Sequence, residues 1–222
     1  MRRFWCILGL CVCFAVSAAA EDVYFFCNTG GEKKIALTFD DGPHPVYTRE
    51  ILDILSEYGI RATFFCIGVN AEQYPSLVQE EIAAGHEIGN HTYGHRNLRS
   101  VSGEGVREEI LGMEEVLWEV TESRPHLFRP PGGQYCDEVC RAAAELEYTV
   151  ILWSVDTRDW AHTPVPEIVE NVMTNTEEGD IILFHDFVSG ESPTPEALRR
   201  ILPELIEQGY EFVTVSELVG EG

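Results

Sequence analysis

The sequence is poor in basic residues. Its 222 residues include 15 Lys and Arg against 38 Asp and Glu, which gives a formal net charge of −23 at pH 7. A surface this acidic repels nucleic acid and anionic lipid headgroups, so neither is expected as a partner. It also argues against a site that grips phosphate through a basic patch. The charge leaves a neutral polymer open as a ligand.

Long apolar runs are missing except at the start of the chain. Two early arginines precede an apolar stretch over residues 4–16, and small residues follow up to position 20. This pattern predicts a secretory signal peptide over residues 1–20, cleavage before Glu21 and a secreted mature chain. A retained signal anchor is the alternative, although the stretch is short for a bilayer. No later segment is apolar enough to cross a membrane, so no stable membrane insertion is expected after cleavage.

Cysteine is scarce, and none lies at zinc-finger spacing from a histidine. Three of the seven cysteines precede the expected cleavage site, and the even set that remains permits disulfides in an exported chain: Cys27, Cys66, Cys136 and Cys140. Cys27 precedes the first predicted strand and Cys66 ends the second, so they would be close if these strands are neighbours. Cys136 and Cys140 would share one face of a helix. The sequence leaves the pairing open.

The sequence also lacks internal repeats, low-complexity tracts and linkers that would mark a second domain. Residues 21–222 are therefore predicted to form a single domain. Short apolar runs typical of buried strands alternate with amphipathic stretches at helical spacing. About seven β–α units of this kind predict an α/β fold in which parallel strands form a closed or nearly closed barrel.

The predicted elements place ionisable residues at strand ends. The predicted helices span residues 46–58, 71–84, 101–120, 134–146, 165–176 and 195–208. The predicted strands span residues 35–37, 62–67, 87–90, 127–128, 149–153, 180–184 and 211–215. Functional residues of such barrels lie at the carboxyl ends of the strands. The candidates that follow predicted strands are Asp40, Asp41, His91, Arg129, residues 156–160 and His185.

Asp40 and Asp41 are adjacent in the run Thr-Phe-Asp-Asp-Gly-Pro at residues 38–43. Neighbouring residues on a strand point to opposite faces, and buried carboxylates are costly unless a metal ion or another cation neutralises them. A turn with Asp as the N-cap of the next helix is the simpler interpretation of this run alone. The convergence of ionisable residues from several strand ends favours a functional site.

His91 and His95 are four residues apart, so on a helical turn they share a face and can bind one metal ion. For this spacing alone, one core and one surface histidine is the simpler interpretation. With one Asp of the adjacent pair, the set becomes two imidazoles and a carboxylate, which is typical of catalytic metal sites. The other Asp would act as a general base beside the metal-bound water, held ionised by the ion and Arg129. Zinc fits these ligands best, and cobalt, nickel or manganese would also bind.

His185 ends an apolar strand and is a candidate general acid for the leaving group. A carboxylate that fixes the tautomer of a histidine and raises its pKa makes it a better acid. Asp156 or Asp159 would serve this purpose. A polar turn with a half-buried Trp160 is the alternative for this stretch.

These residues resemble the polysaccharide deacetylase family, carbohydrate esterase family 4, whose members remove N-acetyl groups from chitin and from peptidoglycan amino sugars. Five family motifs occur in order between Thr38 and His185. The resemblance implies a distorted (β/α)7-type barrel, with residues 21–222 as its catalytic domain. It also implies that Asp40 is the general base, and that the metal ligands are Asp41, His91 and His95.

The resemblance assigns the remaining site residues as well. Arg129 matches the arginine that pairs with the base, and Asp159 matches the carboxylate that orients the acid His185. Trp160 and Leu183 match residues that line the substrate groove and the acetyl pocket. Gly132 departs from the family, which usually has an aromatic residue there. Its backbone N–H can still stabilise an oxyanion, but an aromatic wall for the sugar is lost, so substrate preference is affected.

The leading hypothesis is metal-dependent hydrolysis of N-acetyl groups on a glycan polymer or oligomer, with release of acetate, by a monomeric enzyme. Peptidoglycan N-acetylglucosamine is the first candidate substrate, because a bare exported domain suits wall modification, and chitin is the second. One alternative is the same machinery acting on a cyclic amide or an O-acetyl ester. Another is a secreted, catalytically inactive carbohydrate-binding protein, against which the intact Asp40, Arg129 and His185 argue.

Overall fold

The structure is a computed structural model that describes residues 23–27 and 29–220, so the predicted signal peptide over residues 1–20 lies outside the described residues. The strands of this part of the chain are β1 (Val23–Tyr24), β2 (Lys34–Asp40), β3 (Thr63–Cys66), β4 (Glu87–Asn90), β5 (Leu127–Phe128), β6 (Thr149–Ile151), β7 (Val155–Asp156), β8 (Ile181–His185) and β9 (Glu211–Phe212). The helices are α1 (Tyr47–Tyr58), α2 (Gly68–Gln73), α3 (Pro75–Ala83), α4 (Gly103–Thr121), α5 (Asp137–Glu145), α6 (Val165–Asn175), α7 (Thr194–Glu207) and α8 (Val215–Val219). No helix among the described residues is long and apolar enough to cross a membrane.

The strands form one sheet in the order β1-β6-β5-β4-β3-β2-β8-β7, with β9 beside the start of β2, and each of these pairings is parallel. Only residues 152–154 separate β6 from β7. One continuous segment therefore pairs with β5 at its start and with β8 at its end. This segment curls the sheet into a half-barrel. The predicted α/β fold with parallel strands in a single domain is confirmed.

The hydrophobic core is formed by the apolar positions that the periodicity of the sequence predicts to be buried. Strand β2 is buried from Ile35 onward because its side chains meet the helical layer on one face and the barrel interior on the other. Phe39, next to the carboxyl end of β2, stacks on Phe64 of β3 and Phe184 of β8, with ring centroids 4.9 and 5.8 Å away. Helix α1 ends at Gly59, whose φ of 65° gives the left-handed C-cap that glycine adopts without strain.

Several predicted elements differ from the structure. The strand expected over residues 35–37 spans Lys34–Asp40, and the strand expected over residues 149–153 ends at Ile151. The helix expected over residues 71–84 is two helices, α2 and α3, because Pro75 cannot donate a backbone hydrogen bond and begins a new helix. The helix expected from residue 134 begins at Asp137, after a 3₁₀ turn over residues 131–133 in which Gly132 has a φ of 59°. The strand expected over residues 211–215 ends at Phe212, and helix α8 begins at Val215.

The cysteine pairing considered for Cys27 and Cys66 is wrong, and both are free thiols. The strand that follows Cys27 and the strand that ends at Cys66 are neighbours, since β2 pairs with β3. However, Cys27 lies near the amino ends of the strands, where its N–H donates to the Gly179 carbonyl, whereas Cys66 is at the carboxyl end of β3. Cys136 is exposed and Cys140 is buried in α5, so the shared helix face expected for them does not bring the two thiols together.

Candidate active site

The carboxyl end of β2 places Asp40 beside a buried cation. Asp40 is 3% exposed, and its Oδ1 accepts a hydrogen bond from Arg129 Nη1 at 2.7 Å. Arg129 follows β5 and is fully buried, with its other hydrogen bonds going to Thr38 Oγ1 and to the carbonyls of Ile151 and Leu152. Burial lowers the pKa of Arg129, and the Asp40 carboxylate opposes that shift. Arg129 thus neutralises Asp40 inside the barrel.

Asp41 turns away from Asp40 toward two imidazoles. Its Oδ1 lies 3.4 Å from His91 Nε2 and 3.2 Å from His95 Nε2. One potential ligand atom from each of the three residues lies within 4.8 Å of the others. Asp41 Oδ1 is buried and has no hydrogen-bond partner, which is costly for a carboxylate oxygen. Two imidazole nitrogens and this orphaned oxygen fit a divalent metal ion.

Three residues at this cluster have left-handed backbone conformations: Asp41 (φ 77°), Thr92 (φ 69°) and His95 (φ 51°). Such conformations cost a non-glycine residue about 1–3 kcal/mol each. Contacts with the surrounding fold must therefore compensate for this cost. The backbone at two of the three candidate ligands, Asp41 and His95, is thus constrained by the fold.

A hydrogen bond at the other ring nitrogen orients the His91 imidazole. His91 Nδ1 lies 2.6 Å from the Arg129 carbonyl, which can only accept, so Nδ1 carries the proton and Nε2 presents its lone pair toward Asp41. Burial alone would lower the pKa of His91, but the carboxylates of Asp40 and Asp41 raise it. The same negative charge attracts a cation.

Two residues that the sequence interpretation missed hold the loop that carries Asp41. Asn70 Nδ2 donates to the Asp41 carbonyl at 2.7 Å. Gly42 packs against the Asp186 carboxylate so closely that a Cβ on Gly42 would overlap it. Asp186 in turn accepts from Thr48 Oγ1 of α1. Asp186 directly follows His185, so its position in the sequence could have identified it as a site residue. The contact of Asn70 with Asp41 depends on the tertiary fold and could not be read from the sequence.

His185 ends β8 next to Asp40 in the sheet register. Its Nδ1 lies 2.8 Å from Asp159 Oδ1, and its backbone N–H donates to Asp159 Oδ2 at 2.7 Å. Asp159 Oδ2 also accepts from Thr194 Oγ1 at 2.6 Å. Asp156, the alternative partner, accepts instead from the Arg158 backbone N–H. The geometry thus selects Asp159.

The environment of His185 raises its pKa. Burial alone would lower it, but the hydrogen bond and charge of Asp159, with the charges of Asp40 and Asp41, raise the pKa to about 9. A histidine with this pKa is protonated at neutral pH and can donate a proton from Nε2.

These groups face one cavity of about 340 Å³ at the carboxyl ends of the strands. Its lining comprises Asp40, Asp41, His91, His95, Gly132, Trp153, Asp156, Trp160, Leu183 and His185. Eight of the ten predicted site residues are in this set, while Arg129 and Asp159 lie behind it against Asp40 and His185. The space at Gly132 is open, since a Cβ added there would have its nearest neighbour on the Gln134 side chain, 3.7 Å away. Trp153, at a predicted strand end, was missed.

Comparison with known proteins shows one consistent likeness. Residues 28–151 match the model of the polysaccharide deacetylase family. A peptidoglycan-N-acetylglucosamine deacetylase of Bacillus cereus is 48% identical over 190 residues, which cover 85% of this chain and 89% of that protein. A chitooligosaccharide deacetylase of Sinorhizobium fredii is 35% identical over 191 residues, which cover 81% of this chain and 89% of that protein.

A solved structure shows the same likeness in three dimensions. The crystal structure of a peptidoglycan N-acetylglucosamine deacetylase in complex with 4-naphthalen-1-yl-N-oxidanyl-benzamide superposes with a TM-score of 0.86. The two chains are 36% identical, and the match covers 90% of this chain and 93% of that one. At this identity and coverage, the likeness extends beyond the fold alone.

Proposed function

Because the chain belongs to the polysaccharide deacetylase family, we propose that it hydrolyses N-acetyl groups of an N-acetylglucosamine polysaccharide and releases acetate. One observation carries the proposal. The cluster of Asp41, His91 and His95 shares its cavity with a paired base, Asp40, and a paired acid, His185. Carbohydrate binding alone requires neither a base nor an acid, so the arrangement favours a hydrolase.

Asp41, His91 and His95 would hold a divalent metal ion, for which Zn²⁺ is our first candidate and Co²⁺, Ni²⁺ or Mn²⁺ are others. When bound, the ion supplies Lewis acidity, which makes water easier to deprotonate and polarises a carbonyl group. The left-handed conformations of Asp41 and His95 keep the ligand atoms converged.

We assign Asp40 the role of general base. Arg129 occupies Asp40 Oδ1, which leaves Oδ2 to accept a proton from the water that attacks the acetyl carbon. The fully buried Arg129 also supplies a positive charge next to this carboxyl group. The backbone N–H of Gly132, which lines the cavity, is our candidate donor to the developing oxyanion.

We assign His185 the role of general acid. It donates a proton to the amide nitrogen as the C–N bond breaks, and the products are acetate and a free amino sugar. Asp159 holds Nδ1, so Nε2 is the nitrogen that delivers the proton. Leu183 would contact the acetyl methyl group, and the half-exposed Trp160 would contact the sugar ring.

For the substrate, we propose peptidoglycan N-acetylglucosamine first and chitooligosaccharides second. Support comes from the names of the relatives, the first of which act on peptidoglycan. Export by a signal peptide over residues 1–20 would bring the enzyme to such a polymer. The acidic chain has no electrostatic conflict with an uncharged N-acetylglucosamine unit.

Acetate release by the zinc-loaded protein tests the proposal. Purified peptidoglycan and chitooligosaccharides would be assayed in parallel, with Asp40→Asn as a nearly isosteric control. We expect acetate from at least one glycan and loss of activity in the variant and after chelation. Absence of acetate from both glycans, despite stoichiometric metal, would contradict the proposed reaction.

A further inference from the structure

An exposed pair of aromatic rings lies outside the cavity lining. Phe25 is 39% exposed and Tyr135 is 45% exposed, and their ring centroids are 5.6 Å apart with the planes at 81°. Phe25 directly follows β1, and Tyr135 follows the 3₁₀ turn over residues 131–133. Two segments far apart in sequence thus meet to present aromatic surface to solvent.

Trp153 connects this pair to the cavity. Trp153 lines the cavity, and its indole packs against Gly133 so closely that a Cβ on Gly133 would lie 2.9 Å from the ring. The Tyr135 backbone N–H donates to the Gly133 carbonyl at 2.8 Å. Next to Phe25, the Tyr24 carbonyl accepts a hydrogen bond from the backbone N–H of Leu152, which precedes Trp153, at 2.7 Å. Both rings are therefore anchored next to Trp153.

The position of the pair relative to the sheet supports a role in binding. Tyr135 follows β5 and the turn that contains the cavity-lining Gly132, so Tyr135 and the ring of Phe25 that contacts it lie on the side of the sheet that carries the candidate active site. Exposed aromatic rings that contact each other and adjoin a binding cavity are typical of recognition surfaces. The edge-to-face geometry leaves ring surface of both side chains available to a ligand.

A sugar ring suits this surface. A pyranose presents axial C–H groups to an aromatic face while its hydroxyl groups stay in water, so stacking does not require desolvation of a charge. The phenolic oxygen of Tyr135 adds a donor and an acceptor at the rim. A polymer whose acetyl group reached the catalytic residues would continue past the cavity, with further sugar units alongside.

We propose that Phe25 and Tyr135 form a separate subsite that stacks on a sugar unit of the same glycan chain, away from the unit whose acetyl group is hydrolysed. This inference rests on the proposed function, because it takes the polymer from there. It predicts a preference for longer oligomers. The catalytic step itself does not involve the pair.

The test compares an N-acetylglucosamine disaccharide with the hexasaccharide as substrates of the zinc-loaded enzyme. In Phe25→Ala and Tyr135→Ala, we expect the KM for the hexasaccharide to rise about five- to tenfold, which matches one lost aromatic contact. The kcat and the KM for the disaccharide should stay unchanged. Tyr135→Phe, which keeps the ring, should remain within about twofold of the wild type. Trp118→Ala is the matched control, since this residue is 58% exposed but lies on α4.

The outcomes separate the subsite from the reaction. If the wild type releases acetate and both alanine variants keep its KM for the hexasaccharide, the subsite is refuted and the proposed function stands. An equal rise of KM for the disaccharide would also refute it, because the residues would then shape the cavity itself. If the wild type releases no acetate, calorimetric titration of the hexasaccharide into wild type and Tyr135→Ala decides the subsite independently. Equal affinities in that titration would refute it.

Discussion

Asp40 and Asp41 are neighbours in the chain but have different partners. Asp40 is the last residue of β2 and keeps strand geometry, which points it at Arg129. Asp41 has a φ of 77°, which turns its side chain toward His91 and His95. A strand alone would place the two carboxylates on opposite faces, and the left-handed residue brings both to the same cavity. One backbone rotation thus allows two roles for adjacent residues.

The pH dependence of activity is the first prediction at this scale. The pKa of His185 is about 9, above its ordinary value of 6.5, because Asp159 outweighs the effect of burial. The raised pKa also means that protonated His185 contributes to the free energy of unfolding. This contribution is complete below pH 6.5 and is lost as pH rises through about 9. Asp159→Asn should move the alkaline limb of the kcat profile to lower pH and reduce kcat at neutral pH by about a hundredfold.

The control for this prediction is Asp156→Asn. Asp156 also lines the cavity, but its carboxylate accepts from Arg158 N–H and does not contact His185. The alkaline limb of the kcat profile of Asp156→Asn should therefore lie at the same pH as that of the wild type. An unmoved limb in Asp159→Asn would show that the group titrating there is not His185.

The second residue-scale prediction concerns the buried ion pair. Arg129→Met leaves the 3% exposed Asp40 without its cation, so the free energy of unfolding should fall by about 3–5 kcal/mol in urea titrations. The double variant Arg129→Met/Asp40→Asn should recover part of this loss, because neither position of the pair then carries a buried charge. Arg200→Met removes an exposed pair with Glu196 and should cost less than about 1 kcal/mol. Equal losses in both arginine variants would contradict this account.

At the scale of elements, helices α1 and α2 hold the loop after β2. Asn70 of α2 donates to the Asp41 carbonyl, and the Ile67 N–H at the start of α2 donates to the Gly42 carbonyl. On the opposite side, Thr48 of α1 bonds to Asp186, which packs on Gly42. Two helices and the end of β8 therefore fix the loop that carries one metal ligand.

Metal affinity tests this arrangement. Asn70→Ala removes one hydrogen bond to the Asp41 carbonyl, so the Kd for Zn²⁺ should rise about fivefold, with the KM for substrate unchanged. Competition against a chromophoric chelator measures the Kd without any assay of activity. Asn175→Ala is the matched control, since Asn175 also donates from its amide to a backbone carbonyl, that of Asn171, within α6. A Kd equal to that of the control would show that Asn70 does not position Asp41.

At the scale of the whole molecule, the fold gathers buried carboxyl groups beneath the carboxyl ends of its strands. Glu81 of α3 and Asp186 are both buried, and each has one oxygen without a hydrogen-bond partner. Burial and the charge of Asp186 raise the pKa of Glu81 well above its ordinary value. Burial, with the charges of Asp41 and Asp40, raises the pKa of Asp186 to about 7. The fold thus favours the protonated forms of these two carboxyl groups.

This protonation predicts how stability depends on pH. The folded-state pKa of Asp186 exceeds its ordinary 3.8, so its favourable contribution is complete below pH 3.8 and is lost as pH rises to about 7. In the metal-free protein, Asp186→Asn should flatten this part of the stability curve and make the protein more stable than the wild type above pH 7. Urea titrations at several pH values provide the measurement. Parallel curves for both proteins would exclude a raised pKa at Asp186.

The sequence by itself determined the layout of strands and helices, since apolar periodicity reports burial within a few residues of each position. It also placed ionisable residues at strand ends and identified the family. Within this layout its errors are local, such as the helix break at Pro75, where proline chemistry overrides a continuous amphipathic pattern.

Only the tertiary structure decided which of these residues meet. It selected Asp159 over Asp156 as the partner of His185, separated Cys27 from Cys66, and brought Phe25 to Tyr135. These contacts join segments far apart in the chain, so they depend on strand order, register and the curl of the half-barrel. Periodicity and spacing describe short segments and do not specify which side chains of distant segments contact each other.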